Sequence, residues 1–491
     1  MTSLADKYTT DPTGSWITNI PYGDYIRPCT PAGKCVTANI SPLASGESNS
    51  EIINGEIERL SASGGGTLVI PEGEYKIATV EIKSNITLFI SKGAKLVGLS
   101  YEERNAANGN SALDGTPDHI GDGVILAQNA ENIRITGGGI ICGNGISYTD
   151  EPKTENPLYA LKEFNTYKRV IEARNRIRFG KPNCKRSYLM LIKDCKNVVI
   201  DDIILNESAF WTLVINGCEN VDINHIVIDN HMHVANADGI DILFSKNVNI
   251  RTCFIATADD GICLKPVNGE IKGVNVSDCI ISSCANCFKI GTETVFDISD
   301  IRVSDCRFFM PQNMTYGYSG IAVESADGSN VSDVEIDTIT MDGVSSPILV
   351  WLGKRLRHGN SKIGSVNNIK ISNVTAVNTE LPSAVTGCRT DENIYPVQNV
   401  VLENISAVYR DTSEALDINY DVPEWSLSDY PDIVRVSHIY RESHENSDYW
   451  DLPCYGIFIR YAENIDYSGY SCVPRKCNER SFEYVKNEIK M

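Results

Sequence analysis

The chain has 491 residues, 42% hydrophobic and 22% charged, which places it among folded globular proteins rather than disordered or fibrous ones. Its formal net charge of -20 argues against nucleic acid or an anionic membrane as partner, and a polyanionic ligand would need a local basic patch. No apolar run approaches the roughly 18 residues of a membrane span.

The opening residues, MTSLADKYTTDPTGSW, show neither a basic n-region nor an apolar h-region, which predicts a cytosolic protein. A secreted mature form is the alternative. Residues 1–60 are irregular, and the segment Glu51–Leu60 has helical spacing of apolar positions. This region is expected to cap the open end of a repeat array that starts just after it.

From residue 61 to about 480 a phrase of Asn, apolar, any residue, apolar recurs: NITLFI from Asn85, NIRITG from Asn132, NVVIDDI from Asn197, NVDINHI from Asn220 and NVNIRTCFI from Asn247. Further copies are NVSDCII from Asn275, NVSDVEI from Asn330, NIKISNV from Asn368, NVVLENI from Asn399 and NIDYSGY from Asn464. The spacing, mostly between roughly 23 and 38 residues, is that of a solenoid. Each copy alternates apolar and polar positions and ends in a turn signal, so each predicts a short strand with one buried face. An all-β fold follows: a single parallel β-helix domain with coils about 4.8 Å apart. The recurring Asn is expected at a turn, in a left-handed conformation, stacked on the Asn of the next coil.

Sixteen cysteines are present, and Cys195, Cys218, Cys253, Cys279 and Cys306 recur in similar contexts. They are expected to be small buried residues stacked in successive coils, mostly as reduced thiols. Two stretches interrupt the repeat, a basic one at 145–185 that predicts a helical excursion or lid, and an aromatic-bearing one at 410–455.

Two phrases carry candidate chemistry, Asn236-Ala-Asp-Gly-Ile-Asp241 and Ala258-Asp-Asp-Gly-Ile-Cys-Leu-Lys265. Asp238 and Asp259 are 21 residues apart, about one coil, which predicts carboxyls on neighbouring strands roughly 5 to 9 Å apart. Asp260 joins them only if the backbone turns before Gly261. Crowded carboxylates raise the pKa of at least one, supplying an acid beside an ionised base. Turn-forming Asp residues and a calcium site are the alternatives. Around these phrases, Trp211 could stack on a sugar or pack in the core. His231 and His233 could line the cleft or sit on a surface loop. Lys289, on the apolar strand CFKIG, faces either a ligand or solvent. Arg355 and Arg357 could lend positive potential. The CxxC of Cys284 and Cys287 has no second pair at zinc-like spacing, so no metal is expected there.

At these residues the sequence resembles glycoside hydrolase family 28, the polygalacturonase and rhamnogalacturonase family. The resemblance begins at GGGTLVIPEGEYKIATVEIKSNITLFISKGAKLVG and continues through ESAFWTLVINGCENVDI and the two aspartate phrases. DYPDIVRV and LPCYGIFIRYAENI resemble the C-terminal coils of its bacterial branch. It implies a right-handed parallel β-helix and an inverting hydrolase without cofactor. Asn236-Ala-Asp238 matches the family's Asn-Thr-Asp and Ala258-Asp-Asp260 its Gly-Asp-Asp. The resemblance thus implies Asp259 as general acid, with Asp238 and Asp260 activating water.

Two family motifs are altered. Its Gly-His-Gly aligns with Ala285-Asn286-Cys287, and its Arg-Ile-Lys with Ala322-Val323-Glu324. An acid at Glu324 would repel a galacturonate carboxylate, so Lys289, Arg355 and Arg460 are the candidate replacement cations. Otherwise Glu324 bonds the hydroxyls of a neutral sugar. The expectation is an exo-acting glycosidase on pectin-derived oligosaccharides or polysaccharides. A β-helix lyase, a transferase and a non-catalytic carbohydrate-binding β-helix are the alternatives.

Overall fold

The structure is a computed structural model, and it describes the chain outside residues 1–3, 12–15, 43, 109–122, 150–185, 233, 312–316, 358, 360–361, 410–416, 419–449, 475–480 and 487–491. Most of the two expected insertions, and His233, therefore lie outside the described residues.

The chain winds into a right-handed parallel β-helix with three faces. One face, sheet I, stacks twelve strands in chain order from Val80–Ile82 to Ser481–Lys486. The other two faces share nineteen strands. Six long strands, such as Lys196–Asn206 and Ser365–Thr379, bend through the corner and pair on both faces. Inward positions stack as aliphatic columns, for example Val198, Val221, Val248, Val274, Ile301, Val334, Ile369 and Val400 in unbroken register. All eight are at most 2% exposed, and each side chain so buried contributes about 1.5–3 kcal/mol.

The Asn phrase is a corner ladder. Asn85, Asn132, Asn197, Asn220, Asn247, Asn368, Asn399 and Asn464 all have φ between 54° and 62°. The Asn132, Asn197, Asn220 and Asn247 amides each donate to the Asn one coil earlier, at 3.0, 2.9, 3.2 and 3.2 Å. Asn275 and Asn330, expected on this ladder, are not part of it. Register gives those two coils Gly273 (φ 71°) and Asp333 (φ 55°), with Asp300 (φ 58°) between them. Any residue that tolerates the left-handed conformation serves the corner. Asn220→Ala is expected to lower stability by roughly 1–2 kcal/mol, through one amide bond on each side and a strained φ. Asn220→Gly should cost less, because only the hydrogen bonds are lost; urea unfolding midpoints order the two.

The recurring cysteines form two stacks rather than one. Cys195 and Cys218 occupy one corner, while Cys253, Cys279 and Cys306 stack behind Thr252, Asp278 and Asp305 at another, all as free thiols.

Helix Gly46–Ala62 buries Ile53, Ile57 and Leu60 against the first coil, as an end cap should. Its N-cap Ser45 accepts from the Ser48 amide at 3.3 Å. The residues before it do something else. Tyr8, Ile17, Ile20 and Tyr25 pack with Val227, Met232, Phe254, Ile280 and Phe309, along the flank of the solenoid rather than across its end.

Candidate active site

The site lies where the chain turns from the third face onto sheet I. Strand Phe254–Thr257 ends, Ala258–Gly261 turn, and strand Ile262–Leu264 begins. One coil earlier, Ala237–Gly239 make the same corner before strand Ile240–Leu243. The two corners are bonded to each other, Gly239 N to Asp260 O at 2.9 Å and Asp259 N to Ala237 O at 3.3 Å. Such close approach needs glycine. A Cβ on Gly239 would lie 2.4 Å from the Gly261 oxygen, and one on Gly261 would lie 2.5 Å from the Cys287 oxygen. Gly261 was expected to permit a bulge; its φ is ordinary, and what it supplies is room.

This packing brings one oxygen each of Asp238, Asp259 and Asp260 within 4.8 Å of one another. That is tighter than the 5 to 9 Å expected from coil spacing, because both corners converge on one point instead of running parallel. Asp238 and Asp260 are 2% and 5% exposed, whereas Asp259 is half-buried and the reachable member.

Two buried lysines hold the cluster. Lys289 Nζ stands 3.2 Å from Asp260 Oδ2, and Asn286 donates to Asp260 Oδ1 from its amide side chain (2.8 Å) and its backbone (3.1 Å). Burial alone would raise the Asp260 carboxyl, yet Lys289, Lys265 and these bonds hold it below the usual carboxylate range. Lys265 Nζ bridges Asp238 Oδ2 (2.8 Å) and Asp241 Oδ1 (2.6 Å) and lies 3.7 Å above the Trp211 ring centroid. Burial pushes Asp238 well up; Lys265 pulls it back, and Asp241, Asp259 and Asp260 push it up again. Burial likewise carries Asp241 up to about 7 against the pull of Lys265. The site thus sets a carboxylate held below its usual range beside two whose ionisation burial opposes and Lys265 favours, an uneven set of acidities of the kind acid–base chemistry uses. Three converging carboxylates are also the donors a cation would take, but the ammoniums of Lys265 and Lys289 already neutralise two of them.

The other expected site residues divide. Trp211 is beside the cluster, stacked with Phe210 and Tyr188 at ring separations of 5.5 and 5.6 Å. Asn236 sits at φ 58° with its side-chain oxygen accepting from Arg186 at 3.1 Å, so it shapes the corner. Glu324 is one coil beyond Lys289, in register with Gly291 and accepting from Thr292 Oγ1 at 3.0 Å. His231 does not line the cluster. It meets Trp16 edge-on at 5.4 Å, and burial lowers its pKa to about 4. Arg355 is not presented to a ligand either. Its guanidinium is 1% exposed, forked onto Asp327 and 3.4 Å from Glu293. Arg460 lies four strands along sheet I from Lys289, about 19 Å away at normal strand spacing, with its guanidinium 5.3 Å from the Tyr461 ring.

Sequence reading missed Asp241, Lys265 and the bonds from Asn286 to Asp260. A signal existed for the first two. Ile240, Ile242, Ile262 and Leu264 point into the core, so strand alternation turns Asp241 and Lys265 outward on adjacent coils.

The family model of "Glycosyl hydrolases family 28" matches residues 67–422. A polygalacturonase of Gossypium hirsutum is 25% identical over 370 residues, covering 72% of this chain and 78% of that protein. An exopolygalacturonase of Platanus acerifolia is 23% identical over 362 residues, covering 71% and 83%. Among solved structures, the Yersinia enterocolitica family 28 exopolygalacturonase superposes with a TM-score of 0.62 at 18% identity, covering 93% of this chain and 78% of that one. The latter likeness is one of fold.

Proposed function

This chain belongs to glycosyl hydrolases family 28 and is a glycosidase, and from that premise we propose that it removes galacturonate units from the ends of pectin-derived oligosaccharides with inversion at the anomeric carbon. The observation that carries the reading is the convergence of Asp238, Asp259 and Asp260, with Asp259 the half-buried member and Asp260 held ionised; inversion is taken from the family resemblance, since this spacing is closer than most inverting pairs show. In the proposed reaction Asp259 donates its proton to the leaving glycosidic oxygen. Water attacks the opposite face of the anomeric carbon and gives its proton to Asp260, assisted by Asp238. The bond from carbon to the leaving oxygen breaks as the bond to water forms, and no co-reactant is needed. Chain-end attack is supported by the names of relatives, the Platanus acerifolia enzyme and an exo-poly-alpha-D-galacturonosidase of Dickeya chrysanthemi that is 26% identical over 227 residues.

Glu324 favours a second reading of the sugar. A carboxylate one coil beyond Lys289 suits hydroxyls better than another carboxylate, which points to a neutral residue there, as in rhamnogalacturonan. One experiment separates the readings: purified protein is incubated with oligogalacturonides, rhamnogalacturonan fragments and neutral oligosaccharides. Products are followed by proton NMR. Release of single galacturonate units, first seen as the inverted anomer, is the expected result. Release only from fragments with a neutral sugar would move the assignment to the second reading, and the retained anomer would overturn the mechanism.

A further inference from the structure

The ammonium of Lys265 is in an unusual place for a lysine. It is 4% exposed, wholly inside the cluster, and bonded to two carboxylates on the neighbouring coil while the indole of Trp211 closes its remaining side. A buried ion pair seldom adds net stability over apolar packing, so stability alone gives little account of three buried charges beside the reacting centre. The geometry has a consequence for Asp238. Its Oδ2 is fixed by Lys265, while its Oδ1 is buried and has no hydrogen-bond partner among the described residues. Asp241 repeats the pattern, with Oδ1 on Lys265 and Oδ2 unpartnered. One cation therefore takes one oxygen of each carboxylate and leaves the other buried without a hydrogen bond.

We propose that Lys265 is a positioning residue for hydrolysis: by clamping Asp238 to Asp241 it fixes the orientation of the Asp238 carboxylate beside Asp259 and Asp260. The inference rests on the reading of Asp238 as one of the two water-activating groups. The groups around the pair are few. Asp238 faces Lys265 and Asp241 across the coil, and Asp259 and Asp260 from the 258–261 corner. Lys265 faces Asp238, Asp241, Cys263 on its own strand and Glu293 from the loop after strand Phe288–Ile290. Lys289 completes the set through Asp260. Lys265 is the cation that opposes the upward push of burial on Asp238, so its loss would demand a higher pH before Asp238 ionises, and loss of Asp241 would do the reverse.

The test is the acidic limb of the kcat/KM profile of the full chain, read on trigalacturonate, or on whichever of the oligosaccharides named for the NMR experiment the wild type cleaves. Lys265→Met should move that limb up by about one pH unit or more. It should lower kcat near the old limb about tenfold or more, with KM changed little. Lys265→Arg should keep most of the wild-type limb position, because the charge is retained. Asp241→Asn should move the limb down. A merely structural lysine would change stability or overall rate and leave the limb in place, so an unmoved limb in soluble Lys265→Met overturns the inference. Where Lys265→Met does not fold, Asp241→Asn decides: a downward shift supports the clamp and an unmoved limb overturns it. Asp238→Asn is the companion control. If it stays fully active, the reading of Asp238 has failed instead.

Discussion

Asp259→Asn is expected to lower kcat by about 10³-fold while leaving the fold intact. The side chain is half-buried at a corner, and its Oδ1 accepts from the Asp260 amide at 3.1 Å, a bond an Asn oxygen can keep. What Asn cannot do is surrender a proton to the departing oxygen. Thermal unfolding should therefore shift by no more than a surface substitution does, and substrate should still bind. A second measurement separates acid from base. A substrate with a leaving group that needs no proton, such as a glycosyl fluoride, should recover much of the lost rate in Asp259→Asn. Asp260→Asn should gain nothing from the same substrate, because its defect lies on the water side. Equal recovery in both, or wild-type turnover by Asp259→Asn on the natural substrate, would remove Asp259 from the acid role.

Gly261→Ala is the second large effect, and it acts through backbone rather than chemistry. The added carbon would lie 2.5 Å from both the Cys287 oxygen and Ile281 Cγ2, and neither is the end of a flexible side chain. The corner must move. A loss of about 2–4 kcal/mol of stability is expected from such overpacking. Asp260, one residue away, should lose its bonds from Asn286 and its approach to Lys289, and a displacement of about 1 Å at a reacting group costs roughly 10²-fold in rate. Gly55, exposed in helix Gly46–Ala62, has nothing within 4 Å of where a Cβ would stand and is the matched control. There alanine should stabilise by roughly 0.5–1 kcal/mol. Paired thermal melts and rates for the two variants check both statements.

The solenoid was legible in the sequence because one period governs both strand spacing and corner chemistry. A left-handed corner accepts few residues, so Asn returns wherever the coil returns. Where Gly273, Asp300 and Asp333 take that duty, the phrase shifts and hides the register. The acid cluster was legible for the same reason, since one coil of separation makes Asp238 and Asp259 neighbours. Its close convergence was not, because it depends on glycines packed against carbonyls of the next coil. Lys265 and Arg355 show the limit of judging charges along the chain alone. Arg355 looks like a candidate ligand contact there and Lys265, though it ends one of the two aspartate phrases, is given no role, yet each is committed to carboxylates that only the three-dimensional register brings near. The N-terminal residues carried no periodic signal, and their course along the flank could not be inferred.

That course changes how the molecule must come together. Stacked repeats touch only their neighbours, so a plain solenoid can fray coil by coil. Here the Ala5 amide reaches the Asp342 carboxylate at 3.3 Å, the Tyr22 hydroxyl bonds Asp229, and Arg27 bonds Asp202. These early residues thus run backward across coils synthesised much later, and they cannot dock in full until the chain has grown past residue 342. Once docked they act as a splint over the coils that carry the aspartates. Opening any one of those coils then means peeling the splint from its neighbours, so this stretch should come apart as one block rather than from its edges.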